Sequence, residues 1–293
     1  MNKDLILIIG VDSFIGRALS KKFLELGIEH HSTSRRKGSS NHNCKYLDLK
    51  EPFTLDFKEK YTRAVICIPG GGFRTFDTQN YARLVSDSQK LISGLIHNGV
   101  PVTFLSTSAV FSGQSLRPAE NHKPDPTNLY GRFKADVERF LIESSAALNS
   151  DFQIIRLTKI FSVFSKPVEE WIANWGSGEF VTTFKDLRIS PISLDYCVQS
   201  LLKIITGPSS GIFHLSGKED FSYFELSLLL SSSFGFSEKL IAPSSYLNFP
   251  SKIDYTPMYA QLGMEGTTKS FPHVHPQEIQ DFMTDMNLEF FGN

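Results

Sequence analysis

Short apolar runs that alternate with helical patterns constrain the fold of this chain more than any other feature of its sequence. The run Leu5–Ile9 is apolar at every position, which is typical of a strand buried on both faces of a parallel sheet. Two similar runs follow, Ala64–Ile68 and Val102–Leu105, and segments with helical spacing lie between them, Phe14–Leu26 and Tyr81–Asn98. The alternation continues to about residue 157 and implies right-handed crossovers. The predicted fold class is therefore α/β, a doubly wound parallel sheet with a smaller C-terminal substrate-binding region.

A glycine turn follows the first predicted strand and opens the first predicted helix. The turn reads Gly10-Val11-Asp12-Ser13-Phe14-Ile15-Gly16, with Ser13 where a middle glycine is usual. Strand, glycine turn and helix in this order form the context in which a dinucleotide pyrophosphate lies at a helix N-terminus. The turn predicts cofactor contacts at Gly10, Ser13, Phe14, Ile15 and Gly16. A plain strand–turn–helix connection is the alternative.

The second predicted strand, Ile28–Ser34, ends in Ser34-Arg35-Arg36, where the ribose of such a cofactor is recognised. An acidic residue at this place bonds the 2′-hydroxyl of NAD, whereas arginine accommodates the 2′-phosphate of NADP. Two arginines and no acid stand here, which favours NADP over NAD and predicts contacts from Ser34 and Arg35. A solvated basic turn is the better interpretation of Arg36.

Two later segments extend the predicted cofactor site. Tyr46–Leu49 is predicted as a short strand that places Asp48 and Leu49 near the adenine. The turn after Ala64–Ile68 begins with Pro69 and is rich in glycine, so it can lie along the cofactor or serve as a flexible connector. Ile68 and Pro69 are counted among the cofactor contacts on the first interpretation.

Hydroxyl groups and a Tyr-x-x-x-Lys spacing indicate the chemistry. Ser106, Thr107 and Ser108 end a predicted strand, although such residues also form local turns. Tyr130 and Lys134 open a helical pattern and lie one turn apart on one face. A phenol keeps its proton to about pH 10, and a nearby ammonium favours the phenolate. Tyr130 is therefore predicted to exchange a proton with a substrate, the alternative being an amphipathic helix with an exposed lysine.

These pieces, in this order, resemble an extended short-chain dehydrogenase/reductase, and most closely the dTDP-4-dehydrorhamnose reductase family. Further likeness lies in the stretch S-T-x-x-V-F-x-G through Gly113, in residues 186–192, and in Gly211–Gly217, which resembles G-[IV]-[YF]-H-L-x-G. The resemblance implies a Rossmann-like fold and hydride transfer from NADPH to the 4-keto carbon of a nucleotide-linked sugar in carbohydrate biosynthesis.

The resemblance also implies roles for individual residues. Tyr130 would be the proton donor, Lys134 would lower its pKa and hold the nicotinamide ribose, and Thr107 would hydrogen-bond the substrate carbonyl. Ser106 and Ser108 are weaker candidates for the role of Thr107.

Two other functions stay open on the same scaffold. One is sugar-nucleotide epimerisation; dehydration is disfavoured because Ser108-Ala109 stands where related dehydratases carry an acidic pair. The other is a non-catalytic NADP-binding subunit, since the regulatory subunit of methionine adenosyltransferase is similar to this branch.

Composition bounds the remaining properties. The chain has 293 residues and a net charge of -1, which gives no general attraction to nucleic acid or anionic membrane. Three widely spaced cysteines fit a reducing cytoplasm and no metal site, and no run approaches the roughly 20 apolar residues of a membrane span. We predict an NAD(P)-binding domain over residues 1–160 and a substrate-binding region over 161–293, with about 186–216 returning to the sheet. A homodimer is left open.

Overall fold

The computed structural model describes residues 5–39, 42–49, 51, 53, 59–67, 78–250 and 253–292. Its helices are α1 (Phe14–Glu25), α2 (Thr78–His97), α3 (Leu129–Leu148), α4 (Val168–Gly176), α5 (Leu194–Ile205), α6 (Tyr223–Ser233), α7 (Glu265–Ser270) and α8 (Ile279–Phe291). Its strands are β1 (Ile6–Ile9), β2 (His30–Ser34), β3 (Cys44–Tyr46), β4 (Arg63–Ile66), β5 (Val102–Thr107), β6 (Phe152–Leu157), β7 (Lys159–Phe161), β8 (Val181–Phe184), β9 (Arg188–Ile189), β10 (Pro191–Ser193), β11 (Gly211–Leu215), β12 (Phe221–Ser222) and β13 (Ile241–Ser244). The predicted cofactor contacts Ile68 and Pro69 lie outside the described residues.

Seven strands form one parallel sheet in the order β11-β6-β5-β4-β1-β2-β3. Strand β1 pairs with β2 on one side, with Ile6 opposite His30, and with β4 on the other, with Ile6 opposite Arg63. The doubly wound α/β fold is thereby confirmed. The strand order reverses direction between β1 and β4, and in open α/β sheets ligands bind beyond the carboxyl ends of the strands at such a point.

The core of this sheet forms where the continuous apolar runs predict it. Ile8, Ile66 and Phe104 are each no more than 1% exposed. Helices α2 and α3 contribute Leu91 and Val137 to one hydrophobic cluster with Ile66 and Phe104, among other residues. Each fully buried side chain of this size contributes about 1.5–3 kcal/mol, so the sheet is a firm support for the turns at its carboxyl edge.

Several elements end at other residues than the sequence predicts, and two differences concern the site. Strand β3 lies at Cys44–Tyr46 rather than at 46–49, so Asp48 and Leu49 follow the strand instead of forming it. Strand β5 continues through Thr107, which places that residue at the last position of the strand. Strand β3 has three residues, too few to show a period of two, which explains the first of these differences.

The chain divides into two compact units. The first contains residues 1–110, 126–156 and 201–213, and the second contains 111–125, 157–200 and 214–293. In two segments the chain passes into the other unit and back, and the predicted boundary at residue 160 stays a prediction. Residues 111–125 bond within the second unit, where the Gly113 carbonyl accepts from the Met258 and Tyr259 amides. Residues 201–213 bond within the first, where the Gln153 amide donates to the carbonyls of Ile204 and Ser209.

The second unit has its own aromatic core and small sheets. Trp171 and Trp175 of α4 pack in one cluster with Leu226 and Leu230 of α6 and Phe282 of α8, among others. Three two-stranded sheets, β7–β10, β8–β13 and β9–β12, each contribute side chains to this core. Most of these strands have two or three residues and were not predicted, because pairing rather than local sequence creates them. Among the described residues, none of the helices combines the length and apolar character needed to cross a bilayer.

Candidate active site

The glycine turn after β1 has the backbone geometry of a phosphate-binding turn. Gly10 adopts a φ of 90°, which favours glycine. A Cβ added at Gly16 would lie 2.5 Å from the Gly10 carbonyl oxygen, so only glycine permits this close approach. Ser13 is the N-cap of α1, and its hydroxyl accepts a hydrogen bond from the Gly16 amide at 3.0 Å. Serine thus replaces the middle glycine without opening the turn, and it stabilises the helix start.

A cavity of about 100 Å³ lies beside this turn in the first unit. It is lined by Ile9, Gly10, Asp12, Ser13, Thr33, Arg35, Leu47, Asp48, Leu49 and Leu84. Five predicted cofactor contacts are therefore brought together: Gly10, Ser13, Arg35, Asp48 and Leu49. Four further predicted contacts lie nearby in the chain: Phe14, Ile15 and Gly16 in the first turn of α1, and Ser34 at the end of β2. Tyr130 and Lys134, also predicted as cofactor contacts, lie on α3. The cavity has both apolar and polar lining and lies next to the glycine turn with its close approach at Gly16. This arrangement fits the adenosine half of a nicotinamide cofactor.

Asp12 is a site residue that the sequence reasoning missed. Its Oδ2 accepts hydrogen bonds from the Ser34 hydroxyl at 2.8 Å and from the Arg35 amide at 2.9 Å. Its Oδ1 lies 3.5 Å from Nε of Arg36. The acid thus ties the glycine turn to the end of β2. The signal available in the sequence was an acidic residue inside the turn itself, whereas such an acid is usually expected at the end of the second strand.

The three predicted catalytic residues lie together at the carboxyl end of β5. The hydroxyls of Thr107 and Tyr130 are hydrogen-bonded to each other, and Thr107 also accepts from the Ala109 amide at 3.2 Å. Lys134 lies one turn further along α3, with Nζ 5.9 Å from the centre of the Tyr130 ring. Its ammonium donates to the Leu105 carbonyl at 2.8 Å. Their assignment as catalytic residues stays a prediction, which this arrangement supports.

Close backbone packing brings α3 to this position. Asn128 caps the helix, because its side-chain oxygen accepts from the Gly131 amide at 2.8 Å. A Cβ added at Gly131 would lie 2.0 Å from the Ala109 carbonyl oxygen. The helix can therefore approach the turn after β5 only with glycine next to Tyr130. Asn-x-x-Gly before a helical pattern is a capping signal that could have been read from the sequence.

Burial controls the protonation of the tyrosine and the lysine. Desolvation raises the pKa of Tyr130 to about 12, and the hydrogen bond from Thr107 opposes this effect without cancelling it. Desolvation also lowers the pKa of Lys134 to about 8, against the attraction of Cys67 and Glu138. The predicted shift of the Tyr130 pKa toward neutrality is thus not found, because the cost of burying a charge exceeds the effect of the Thr107 hydrogen bond. Tyr130 is held in its protonated form at neutral pH.

A buried ion pair links the strands and the helix that carry the three predicted catalytic residues. The guanidinium of Arg156 donates to the Glu138 carboxylate, at 2.7 Å for the shortest contact, and both side chains are almost fully buried. The Ser106 hydroxyl donates to the same carboxylate at 2.5 Å. Ser106 is therefore engaged in a support network of β5, α3 and β6, which leaves Thr107 as the hydroxyl bonded to Tyr130. Ser108 lies in the short turn that follows β5.

The chain matches a known protein family over most of its length. A family model described as the RmlD substrate binding domain matches residues 3–287, which is nearly the whole chain. This match confirms the resemblance drawn from the motifs. The methionine adenosyltransferase 2 subunit beta of Xenopus laevis is 24% identical over 262 residues, which cover 82% of this chain and 73% of that protein.

Solved structures show the same fold. A dTDP-4-dehydrorhamnose reductase from Bacillus anthracis, in complex with NADP, superposes with a TM-score of 0.79 and 16% identity, covering 99% of this chain and 100% of that one. A dTDP-glucose 4,6-dehydratase from the same organism, in complex with NAD, superposes with a TM-score of 0.77 and 12% identity, covering 99% and 97%. At these identities the likeness shows that the fold is shared.

Proposed function

We propose that this chain, which belongs to the RmlD substrate binding domain family, is an NAD(P)H-dependent reductase of a nucleotide-activated 4-keto-sugar. The observation that carries the proposal is the hydroxyl pair of Thr107 and Tyr130 beside the buried ammonium of Lys134. These three groups can bind a carbonyl oxygen and deliver a proton to it. The family match and the fold support a sugar nucleotide as the substrate class.

The residues that would hold the cofactor are those of the glycine turn and the adjoining cavity. Gly10, Ser13 and Gly16 form the turn for the pyrophosphate, and Arg35 and Asp48 line the cavity for the adenosine half. When bound, a reduced nicotinamide supplies the hydride that a carbonyl reduction needs. The arginines favour NADPH on sequence grounds, and the carboxylate of Asp12 opposes that choice.

The chain's own residues would perform the proton transfer. The hydroxyls of Thr107 and Tyr130 donate hydrogen bonds to the substrate carbonyl oxygen and so stabilise the negative charge that develops there. Because its pKa is about 12, Tyr130 holds the proton that this oxygen needs. After the transfer, the phenolate is stabilised by the ammonium of Lys134 and by the hydroxyl of Thr107.

Replacement of one oxygen atom tests this assignment. Tyr130→Phe is expected to lower kcat on a dTDP-linked 4-keto-sugar by about 100-fold or more, the usual range for a lost acid, while cofactor affinity changes little. Turnover is followed by loss of absorbance of NADH or NADPH, and cofactor binding by fluorescence titration. Tyr61→Phe is the matched control, since Tyr61 precedes β4 at the opposite, amino-terminal edge of the sheet.

A non-catalytic regulatory subunit is the second candidate function. The observation that favours it is the similarity to methionine adenosyltransferase 2 subunit beta over 82% of the chain. Under this alternative, the chain binds a nicotinamide cofactor without turning it over. Tyr130→Phe then changes neither the cofactor affinity nor the turnover, which is absent in both proteins. Absence of turnover with a panel of dTDP- and UDP-linked keto-sugars, in a protein that does bind the cofactor, would replace the reductase with this alternative.

A further inference from the structure

The carboxylate of Asp12 lies beside the end of β2, where dinucleotide sites distinguish a 2′-hydroxyl from a 2′-phosphate on the adenosine ribose. Asp12 belongs to the glycine turn, yet its carboxylate lies at the end of β2, 2.8 Å from the Ser34 hydroxyl and 2.9 Å from the Arg35 amide. It also lines the cavity together with Arg35. The side chain keeps 14% of its surface exposed, so a ligand in the cavity can still reach it.

The groups bonded to Asp12 are those that a 2′-phosphate would need. A phosphate on the ribose takes hydroxyl and backbone N–H donors and arginine side chains, because each of these offers a proton to an anionic oxygen. At the end of β2 these donors are the hydroxyl of Ser34, the amide of Arg35 and the guanidinium of Arg36. Asp12 accepts from the first two and lies 3.5 Å from the third, so a carboxylate already fills their positions.

The charges that line the cavity also disfavour a 2′-phosphate. The cavity is lined by two carboxylates, Asp12 and Asp48, and by one guanidinium, that of Arg35. A phosphate monoester carries a charge of about -1.5 to -2 at neutral pH, and a carboxylate a few ångströms away repels it. A 2′-hydroxyl is neutral and can donate a hydrogen bond to that same carboxylate. Such an acid is the element by which dinucleotide sites recognise NAD, here supplied from the glycine turn instead of the strand.

We propose that Asp12 selects the unphosphorylated ribose, so that this chain binds NADH more tightly than NADPH despite its two arginines. The proposal rests on the proposed nicotinamide site and reverses the preference predicted from Arg35 and Arg36. Asp12 acts in it by repelling the phosphate and by accepting from the 2′-hydroxyl. Arg36 is then engaged with the carboxylate of Asp12 at 3.5 Å and does not serve as a phosphate ligand.

Direct binding measurements on the intact chain test this selection. The dissociation constants of NADH and NADPH are measured by fluorescence titration for the wild type, Asp12→Asn and Glu25→Gln. Asparagine keeps the shape and an oxygen for Ser34 but removes the charge. Glu25→Gln removes one charge at the far end of α1 and is the matched control. Melting temperatures verify that each variant is folded.

The expected result is a wild type that binds NADH at least about tenfold more tightly than NADPH, and an Asp12→Asn variant in which that ratio falls about tenfold or reverses. The control keeps the wild-type ratio. Calorimetric titration with 5′-AMP and 2′,5′-ADP should show the same change for the adenosine half alone.

Two failures are distinguishable. A wild type that prefers NADPH, or a ratio that Asp12→Asn leaves unchanged, overturns the role of Asp12 and leaves the reductase proposal intact. If neither dinucleotide nor either adenosine fragment binds a folded wild type, the nicotinamide site itself is wrong and both proposals fall together.

Discussion

The two ends of the candidate site in the first unit differ in how deeply their charged groups are buried. We call the region of Tyr130 and Lys134 the tyrosine end and the region of Asp12 the ribose end. At the tyrosine end, Lys134 is 3% exposed and the ion pair of Glu138 and Arg156 lies beneath it with each partner 1% exposed. At the ribose end, Asp12 pairs with an arginine whose side chain is 70% exposed. The first end depends on burial and close backbone approach, and the second on polar contacts near water.

If the proposed function holds, this difference separates the residues of proton transfer from those that select the cofactor. Buried charges cannot be replaced singly without leaving an uncompensated group, so the tyrosine end is expected to resist substitution. Exposed charges contribute little to stability, so the ribose end can change its ligand without cost to the fold. Four predictions test this contrast, in order of decreasing effect.

Arg156→Met is expected to have the largest effect. The substitution removes the guanidinium and leaves the carboxylate of Glu138 buried without its charged partner. This should lower the free energy of unfolding, measured by chemical denaturation, by about 3–5 kcal/mol. The double variant Arg156→Met with Glu138→Leu removes both charges and should recover most of this loss. If the single variant is as stable as the wild type, the tyrosine end does not depend on the buried pair.

Gly131→Ala should be nearly as damaging. Alanine normally favours a helix over glycine by about 1 kcal/mol, but here its Cβ would meet the Ala109 carbonyl oxygen at 2.0 Å. We expect a loss of about 3 kcal/mol in the free energy of unfolding, the upper range for overpacking. Gly176→Ala in α4 is the control, because a Cβ there meets nothing within 4 Å. Equal stability of the two variants would show that α3 can move away from β5.

Lys134 should make stability depend on alkaline pH. The pKa of Lys134 is about 8 in the folded chain and about 10.4 in the unfolded chain. Between these values the unfolded chain binds more protons, so the free energy of unfolding rises with pH. From pH 8 to pH 10 the wild type should gain about 2 kcal/mol relative to Lys134→Met. The free energy of unfolding of both proteins is measured in urea at each pH. If it changes with pH in the same way in both, the pKa of Lys134 is not lowered, and its environment is more polar than its burial indicates.

Arg36→Ala should have the smallest effect on stability. Its ion pair with Asp12 lies at the surface, and such pairs contribute less than about 1 kcal/mol. We expect a change in melting temperature of no more than about 2 °C, while the affinities for NADH and NADPH still respond. A loss of stability like that of Arg156→Met would remove the contrast between the two ends.

The sheet and helices that carry the candidate site could be predicted from the sequence. Continuous apolar runs and helical spacing are local properties, so the parallel sheet and its helices could be predicted from them, and the carboxyl edge where the turns meet followed from the topology. Thr107, Tyr130 and Lys134 do lie together, because the strand end and the helix start meet at that edge. The short strands of the second unit escaped prediction, since their residues become strands only by pairing with distant segments.

By itself, the sequence determined the doubly wound fold, the glycine turn and the hydroxyl and ammonium groups at one edge of the sheet, because each depends on neighbours within a few residues. Only the tertiary structure decided how those groups behave. Asp12 reaches donors 22 and 23 residues away, and Gly131 is required by the carbonyl of Ala109. The pKa of Tyr130 rises because distant parts of the chain exclude water from it. Desolvation and charge pairing depend on which atoms are near in space, and distance along the chain does not contain that information.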